Sequence, residues 1–186
     1  MIQICEVGLR DGLQNEKKLV STEQKVELIN KLIEAGITYF EAVSFVNPKI
    51  VPQMADAEEV IRLAPKKEGI TYAGLVLSRS GLERALKTSI DRLHIVVALS
   101  NEFNQRNVRR TVDESVGELT QVIKEGVAAG KEITATLGTA FGCPFEGNVP
   151  VERMLQVADT FLNAGAQSIT LADTTGLANP KQVMDV

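Results

Sequence analysis

The stretch Ala129-Gly130-Lys131-Glu132-Ile133-Thr134-Ala135-Thr136-Leu137-Gly138-Thr139 decides the fold. Ala129-Gly130 ends a helix in the way glycine does just past a C-terminus. The strand Glu132 to Thr139 opens at once after it. The loop from Gly138 to Gly147 follows, and then a helix carries Met154, Leu155, Ala158, Phe161 and Leu162 on one side. Ala164-Gly165 ends that helix and opens the strand Ser168 to Ala172, so one complete βα unit separates two matching punctuation marks. Ala35-Gly36 makes the same junction earlier in the chain.

Working outward, the same rhythm covers the whole sequence. Strands are expected at Ile2–Val7, Thr38–Ser44, Thr71–Val76 and Arg92–Leu99, before the two already named. Ser21 and Gln24 have capping-box spacing, followed by the stripe Val26, Ile29, Leu32 and Ile33. Helices are expected near Asp56–Leu63 and Gly81–Lys87, and a polar loop over Ser100–Arg110. Thr111 and Glu114 then cap a long helix with Val116, Leu119, Val122 and Ile123 on its buried face. Asn179 and Pro180 suit the N-cap and first position of one more helix. About six βα units in a row mean a parallel α/β sheet, either doubly wound or closed into a barrel. The usual dinucleotide fingerprint is absent after the first strand, where Arg10 and Asp11 occupy the turn. Polar residues cluster after successive strands, as they do when all tips face one mouth, so the expectation is a TIM (β/α)8 barrel.

The 186 residues are 44% hydrophobic, enough for a core, with Val, Ile, Leu and Ala in place of aromatics and no Trp. A net charge of −4 and a pI near 5.2 argue against nucleic acid as a partner. No apolar run approaches the ~20 residues of a membrane span. Two cysteines without a framework and no cationic leader make a cytoplasmic protein the expectation. Cys5 reads as a small core residue, Cys143 as open to a site-lining role, and His94 as a hydrogen-bonded histidine of a buried strand.

The run Glu6-Val7-Gly8-Leu9-Arg10-Asp11-Gly12-Leu13-Gln14-Asn15-Glu16 puts a cation beside a hard oxygen ligand at a strand tip. That pairing suits metal-assisted chemistry on an anionic substrate, against the plainer reading of a solvated ion pair closing a strand. The run resembles the signature of the hydroxymethylglutaryl-CoA lyases, Arg-Asp-dependent metallolyases built on a TIM barrel. Phe40-Glu41-Ala42-Val43-Ser44-Phe45-Val46-Asn47-Pro48-Lys49, Phe141-Gly142-Cys143-Pro144-Phe145-Glu146-Gly147 and Leu171-Ala172-Asp173-Thr174-Thr175-Gly176 resemble the same family. Leu9 is a departure, since the family usually carries Pro there.

The resemblance implies cleavage of 3-hydroxy-3-methylglutaryl-CoA to acetyl-CoA and acetoacetate, a step of leucine degradation and ketone-body formation. It implies a divalent cation, Mg2+ or Mn2+, with Asp11 as a ligand. Arg10 would face the thioester carbonyl, Glu41 would orient Arg10 and share its acid–base work, and Asp173 would assist deprotonation of the hydroxyl. Gln14 is a substrate-contact candidate, and Lys17, Lys18 and Lys49 are either CoA-phosphate contacts or solvated loop lysines. Plainer roles stand beside two of these: a structural ion pair for Glu41, and capping of the following turn for Asp173. The family's His-x-His of strand seven, and its Asn and Cys around strand eight, have no counterpart in the sequence. The expectation is therefore a single partial barrel over residues 1–186, lacking strands seven and eight and inactive alone, in a protein that forms homodimers or higher oligomers. A related acyl-CoA metallolyase or condensing enzyme, and a non-catalytic half-barrel module, are the alternatives.

Overall fold

The structure, a computed structural model, describes residues 2–186. Its strands are parallel and hydrogen-bond in sequence order, β1 (Tyr39–Ser44), β2 (Thr71–Leu75), β3 (Arg92–Ala98), β4 (Glu132–Gly138) and β5 (Ser168–Leu171). The chain divides into two compact units, Met1–His94 and Ile95–Val186.

The first unit is built on β1, every residue of which is buried. A parallel strand covered on both faces needs such a continuous apolar run. The exceptions in β1 are Ser44 at its end and Glu41, whose partners are described below. β1 and β2 pair Tyr39 with Thr71, Phe40 with Tyr72 and Glu41 with Ala73, and then the register jumps so that Val43 faces Gly74. This β-bulge lies directly after Glu41. Phe40 stacks on Tyr72 with centroids 5.7 Å apart. Gly74 is required by close approach, because a Cβ there would lie 2.6 Å from Phe45 Cε2 and 3.3 Å from Val43 Cγ2. Helix α1 (Thr22–Glu34) starts with the expected Ser21–Gln24 capping box, and Gly36 follows it at φ +95°. Its deepest residues are Ile29 and Lys25, whose Nζ donates to Asp56 Oδ1 and to the Gln53 carbonyl, each at 2.6 Å. Helices α2 (Ala57–Leu63) and α3 (Arg79–Ala85) complete this unit.

One expected strand is not formed. Between Ile2 and Val7 only Glu6 bridges β1: its N–H donates to the Tyr39 carbonyl, and Glu41 N–H donates to its own carbonyl, both at 2.9 Å. Ile2 and Ile4 are 93% and 70% exposed. An apolar run becomes a parallel strand only where both faces are covered, and these side chains meet no such cover.

In the second unit, helices α4 (Asn101–Val108), α5 (Val112–Ala128) and α6 (Val151–Ala164) accompany β4 and β5. The segment expected as a polar loop holds α4. Ser100 caps it by accepting from Phe103 N–H, and Arg109 closes it in the left-handed region at φ 58°. Helix α4 carries little apolar surface and is anchored through Asn104. The two N–H groups of this buried amide are shared among the Arg110 and Thr111 carbonyls and, at 2.7 Å, Ser115 Oγ. Helix α5 has the expected Thr111–Glu114 capping box. Helix α6 turns Met154, Val157, Phe161 and Ala164 inward, while Leu155 and Leu162, expected on that face, remain exposed at 59% and 45%. Gly165 ends it at φ +109°, and Asn179 caps the short α7 (Pro180–Asp185). Among the described residues no helix is long and apolar enough to cross a membrane.

Candidate active site

After the Glu6 bridge the backbone winds into a π-helical turn, Gly8–Gly12. Leu9, 1% exposed, pins the turn into the core, in the position where the lyase pattern has Pro. Asp11 N–H donates to the Val7 carbonyl at 2.7 Å, and Gly8 N–H donates to Glu6 Oε1 at 2.6 Å. Neither Gly8 nor Gly12 has a positive φ, so left-handed freedom is not what brings Arg10 and Asp11 together. Helical curvature does this. On an extended strand the two side chains would diverge, whereas in this turn Arg10 Nη1 donates to Asp11 Oδ1 at 2.8 Å.

The same guanidinium is bound on its other side, where Arg10 Nε donates to Glu41 Oε1. Arg10 is 15% exposed at its side chain, Glu41 only 6%, and Asp11 58%. The turn therefore links a buried carboxylate to an exposed one through a single cation. The second oxygen of Glu41, Oε2, bonds His94 Nδ1, and His94 Nε2 lies 2.6 Å from the Tyr39 hydroxyl. Burial pushes the Glu41 carboxyl up. The hydrogen bond from His94 and the Arg10 charge outweigh that effect and hold it below the usual carboxylate value. Both oxygens are thus satisfied by donors, as a buried charge requires. Cys5, half-buried rather than a core residue, has its thiol pushed up to about 11 by burial and the Glu41 charge.

Of the other candidates in the first unit, Gln14 is half-buried, and its Oε1 is shielded from solvent without a hydrogen-bond partner among the described residues. A buried acceptor left open in this way is uncommon. Lys17, Lys18 and Lys49 are exposed in loops. In the second unit Asp173 is exposed just beyond β5. Its Oδ1 accepts from Leu177 N–H at 2.9 Å and its Oδ2 from Ala178 N–H at 3.1 Å, which is the turn-capping role. Thr174 Oγ1 accepts from Thr139 N–H, and Thr175 donates to the Gly142 carbonyl, so this loop is tied to the one after β4. Cys143 does not line an opening. It is buried, and its Sγ donates to Ser100 Oγ at 3.0 Å. Burial raises this thiol, and its hydrogen bonds with Ser100 and with the Phe145 and Glu146 N–H groups bring it below its ordinary value.

The structure thus joins Arg10, Asp11 and Glu41 directly. Sequence reading missed Tyr39 and the specific partner of His94. A lone histidine in an apolar strand names no partner until the register is known.

The chain matches the family model described as HMGL-like over residues 1–186. The chain belongs to the HMGL-like family. It is 39% identical over 185 residues to the hydroxymethylglutaryl-CoA lyase of Bacillus subtilis and 37% identical to the mitochondrial enzyme of Homo sapiens. The match covers 100% of this chain in both cases, but only 62% and 57% of those two proteins. The chain therefore spans about three-fifths of the length of these relatives. Its fold matches the crystal structure of the B. subtilis lyase with a TM-score of 0.93, over 98% of this chain and 61% of that one. An HMG-CoA lyase from Acinetobacter baumannii, solved in complex with coenzyme A and 3-methylmalate, gives 0.93 at 37% identity, over 100% of this chain and 60% of that one. The parallel sheet and its helices are those of the barrel lyases, as the βα rhythm led one to expect.

Membership of this metallolyase family implies a divalent cation. Among the described residues no group of three or more His, Cys, Asp or Glu side chains is gathered closely enough to hold one. A hard divalent cation takes about six oxygen ligands, and the exposed Asp11 carboxylate, already accepting from Arg10, is one. These residues by themselves do not make a cation site.

Proposed function

We propose that the whole protein is a hydroxymethylglutaryl-CoA lyase, cleaving 3-hydroxy-3-methylglutaryl-CoA to acetoacetate and acetyl-CoA. In this reaction the tertiary hydroxyl loses its proton and the adjacent carbon–carbon bond breaks. The hydroxyl-bearing fragment leaves as the ketone, and the thioester fragment leaves as an enolate that takes up a proton. The observation that carries the reading is the Arg10 guanidinium, clamped by Glu41 on one side and Asp11 on the other. A guanidinium has five N–H donors, so two committed donors leave others for the thioester oxygen where enolate charge develops. Held mostly out of water and unable to rotate freely, it stabilises that charge with little reorganisation.

Glu41 is ionised at neutral pH by the argument above. It orients Arg10 rather than donating a proton. Asp173 is the proposed acceptor for the hydroxyl proton. A carboxylate offers about four lone-pair positions, and its two backbone bonds leave room for that contact. Gln14 is the proposed substrate contact, because among the described residues its shielded Oε1 has no donor, and a substrate hydroxyl is one. Asp11 is the proposed carboxylate ligand of Mg2+ or Mn2+. An acyl-CoA substrate is further supported by the coenzyme A complex of the A. baumannii relative. Association into homodimers or larger species is part of the proposal.

The test is a coupled assay of full-length protein on 3-hydroxy-3-methylglutaryl-CoA with Mg2+ or Mn2+, alongside longer branched acyl-CoA analogues. Acetoacetate and acetyl-CoA in equal amounts are the expected products. Turnover of an analogue with none of the methylglutaryl thioester would overturn the assignment.

A further inference from the structure

We infer that His94 is a positioning residue. With Tyr39 as its outer link, it fixes the Glu41 carboxylate so that Arg10 is held in one orientation. The inference rests on the function proposed above and extends it to two residues outside the Arg-Asp motif.

Four side chains form one hydrogen-bonded line: Tyr39 hydroxyl, His94 Nε2, His94 Nδ1 to Glu41 Oε2, and Glu41 Oε1 to Arg10 Nε. Tyr39 and Glu41 stand two residues apart on β1 and share a face. Ala73, the register partner of Glu41 on β2, pairs in turn with Arg92 on β3. Its small side chain leaves that face open for β3 residues to reach across to β1. Arg92 lies 5.4 Å over the Tyr39 ring, and His94, two residues further along β3, meets Tyr39 edge-on.

The bonding also sets the proton positions. An ionised carboxylate only accepts, so His94 Nδ1 carries a hydrogen. A neutral imidazole with hydrogen on Nδ1 then accepts from the Tyr39 hydroxyl at Nε2, and a charged one donates to it. In either form the ring is fastened at both nitrogens. His94 and Tyr39 are each 8% exposed, so water does not readily take over either bond. The other ionisable groups facing the line are Asp11 on the far side of Arg10, Cys5 beside Glu41 and Tyr39 with Glu6 next to it, and Arg92. Without the imidazole, Glu41 Oε2 is a buried anionic oxygen lacking a donor. Its carboxylate is then easier to protonate and free to turn away from Arg10.

His94 is the sole histidine of the sequence, so its imidazole signals need no assignment. Long-range 1H–15N correlation spectra of the protein at neutral pH should show Nδ1 protonated. An imidazole carrying hydrogen on Nε2 alone would overturn the inference, whatever the activity. In full-length protein, His94→Leu should lower kcat by about 10- to 100-fold, the scale of one hydrogen bond to a charged group, with KM changed less than about 2-fold. It should also move the acid limb of the kcat profile to higher pH. His94→Asn, whose amide donor stands in for Nδ1–H, should recover most of the loss, and Tyr39→Phe should have a smaller effect of the same kind. Equal kcat and equal pH profiles for the Leu and Asn variants would mean that the ring only fills space, and would overturn the inference. Absence of cleavage by unmodified protein would count against the proposed reaction, while the spectra would still report on the line of bonds.

Discussion

Replacing Glu41 with glutamine keeps its shape and removes its charge and one of its two acceptor oxygens. Two donors, Arg10 Nε and His94 Nδ1–H, then compete for a single oxygen, and the amide NH2 faces whichever one is left. Removing one partner of a fully buried ion pair costs about 3–5 kcal/mol. Arg10 retains 15% exposure, and the amide still accepts one bond, so the expected loss here is about 2–3 kcal/mol. With a urea slope of about 2 kcal/mol per molar, the midpoint should fall by about 1 M. The sequence contains no Trp, and its two tyrosines, Tyr39 and Tyr72, both lie in the first unit. Tyrosine fluorescence therefore follows that unit's unfolding selectively. The pH dependence has a definite sign. Glu41 is held below the usual 4.5 in the folded protein, so its charge contributes fully above pH 4.5. That contribution falls away as the pH drops from 4.5 through the folded value. The gap between parent and Glu41→Gln should narrow as the pH falls below 4.5. A midpoint shift under about 0.3 M at pH 7, or a gap that widens in acid, would refute the reasoning about the buried carboxylate.

Arg10→Gln in full-length protein should lower turnover by about 100-fold or more with a much smaller change in KM, because enolate charge appears only after bond cleavage. A raised KM with near-normal turnover would make Arg10 a binding residue. Asp11→Asn should weaken Mn2+ binding measured by calorimetric titration of full-length protein, since a neutral amide replaces an anionic ligand; unchanged affinity would remove Asp11 from the ligand set. Gly74→Ala should destabilise the first unit by about 1–3 kcal/mol in the same urea assay, because the new methyl meets buried Phe45 at 2.6 Å; an unchanged midpoint would mean that the ring has room to move.

The parts legible from sequence are those with local causes. Capping pairs such as Ser21–Gln24 and Thr111–Glu114 lie three residues apart, and the glycines at 36, 130 and 165 need a left-handed backbone. Such signals do not depend on the rest of the chain. Ile2–Val7 reads as a strand by composition, yet strand formation depends on a covering partner that composition cannot supply. Helix α4 hides for the opposite reason: its anchor is the buried amide Asn104, whose three acceptors come from later residues. At the site, Arg10 and Asp11 announce themselves as neighbours in an unusual turn. The line from Glu41 to Tyr39 joins β1 to β3, and only the register of the sheet makes it visible.

The bulge after Glu41 divides β1 into two segments of opposite phase. On a plain strand, Tyr39, Glu41 and Val43 would share one face. Because Val43 is in register with Gly74 and Glu41 with Ala73, the aliphatic side chain is carried to the face opposite the charge. The first half of the strand is thereby free to vary with the hydrogen-bonded line, and the second half with the packing around Phe45. The single insertion that permits this is also a point of fragility. Straightening the bulge at constant length, with Ala42 taking the place opposite Gly74, would bring Val43 onto the face of Glu41 and turn every later residue of the strand to its other face.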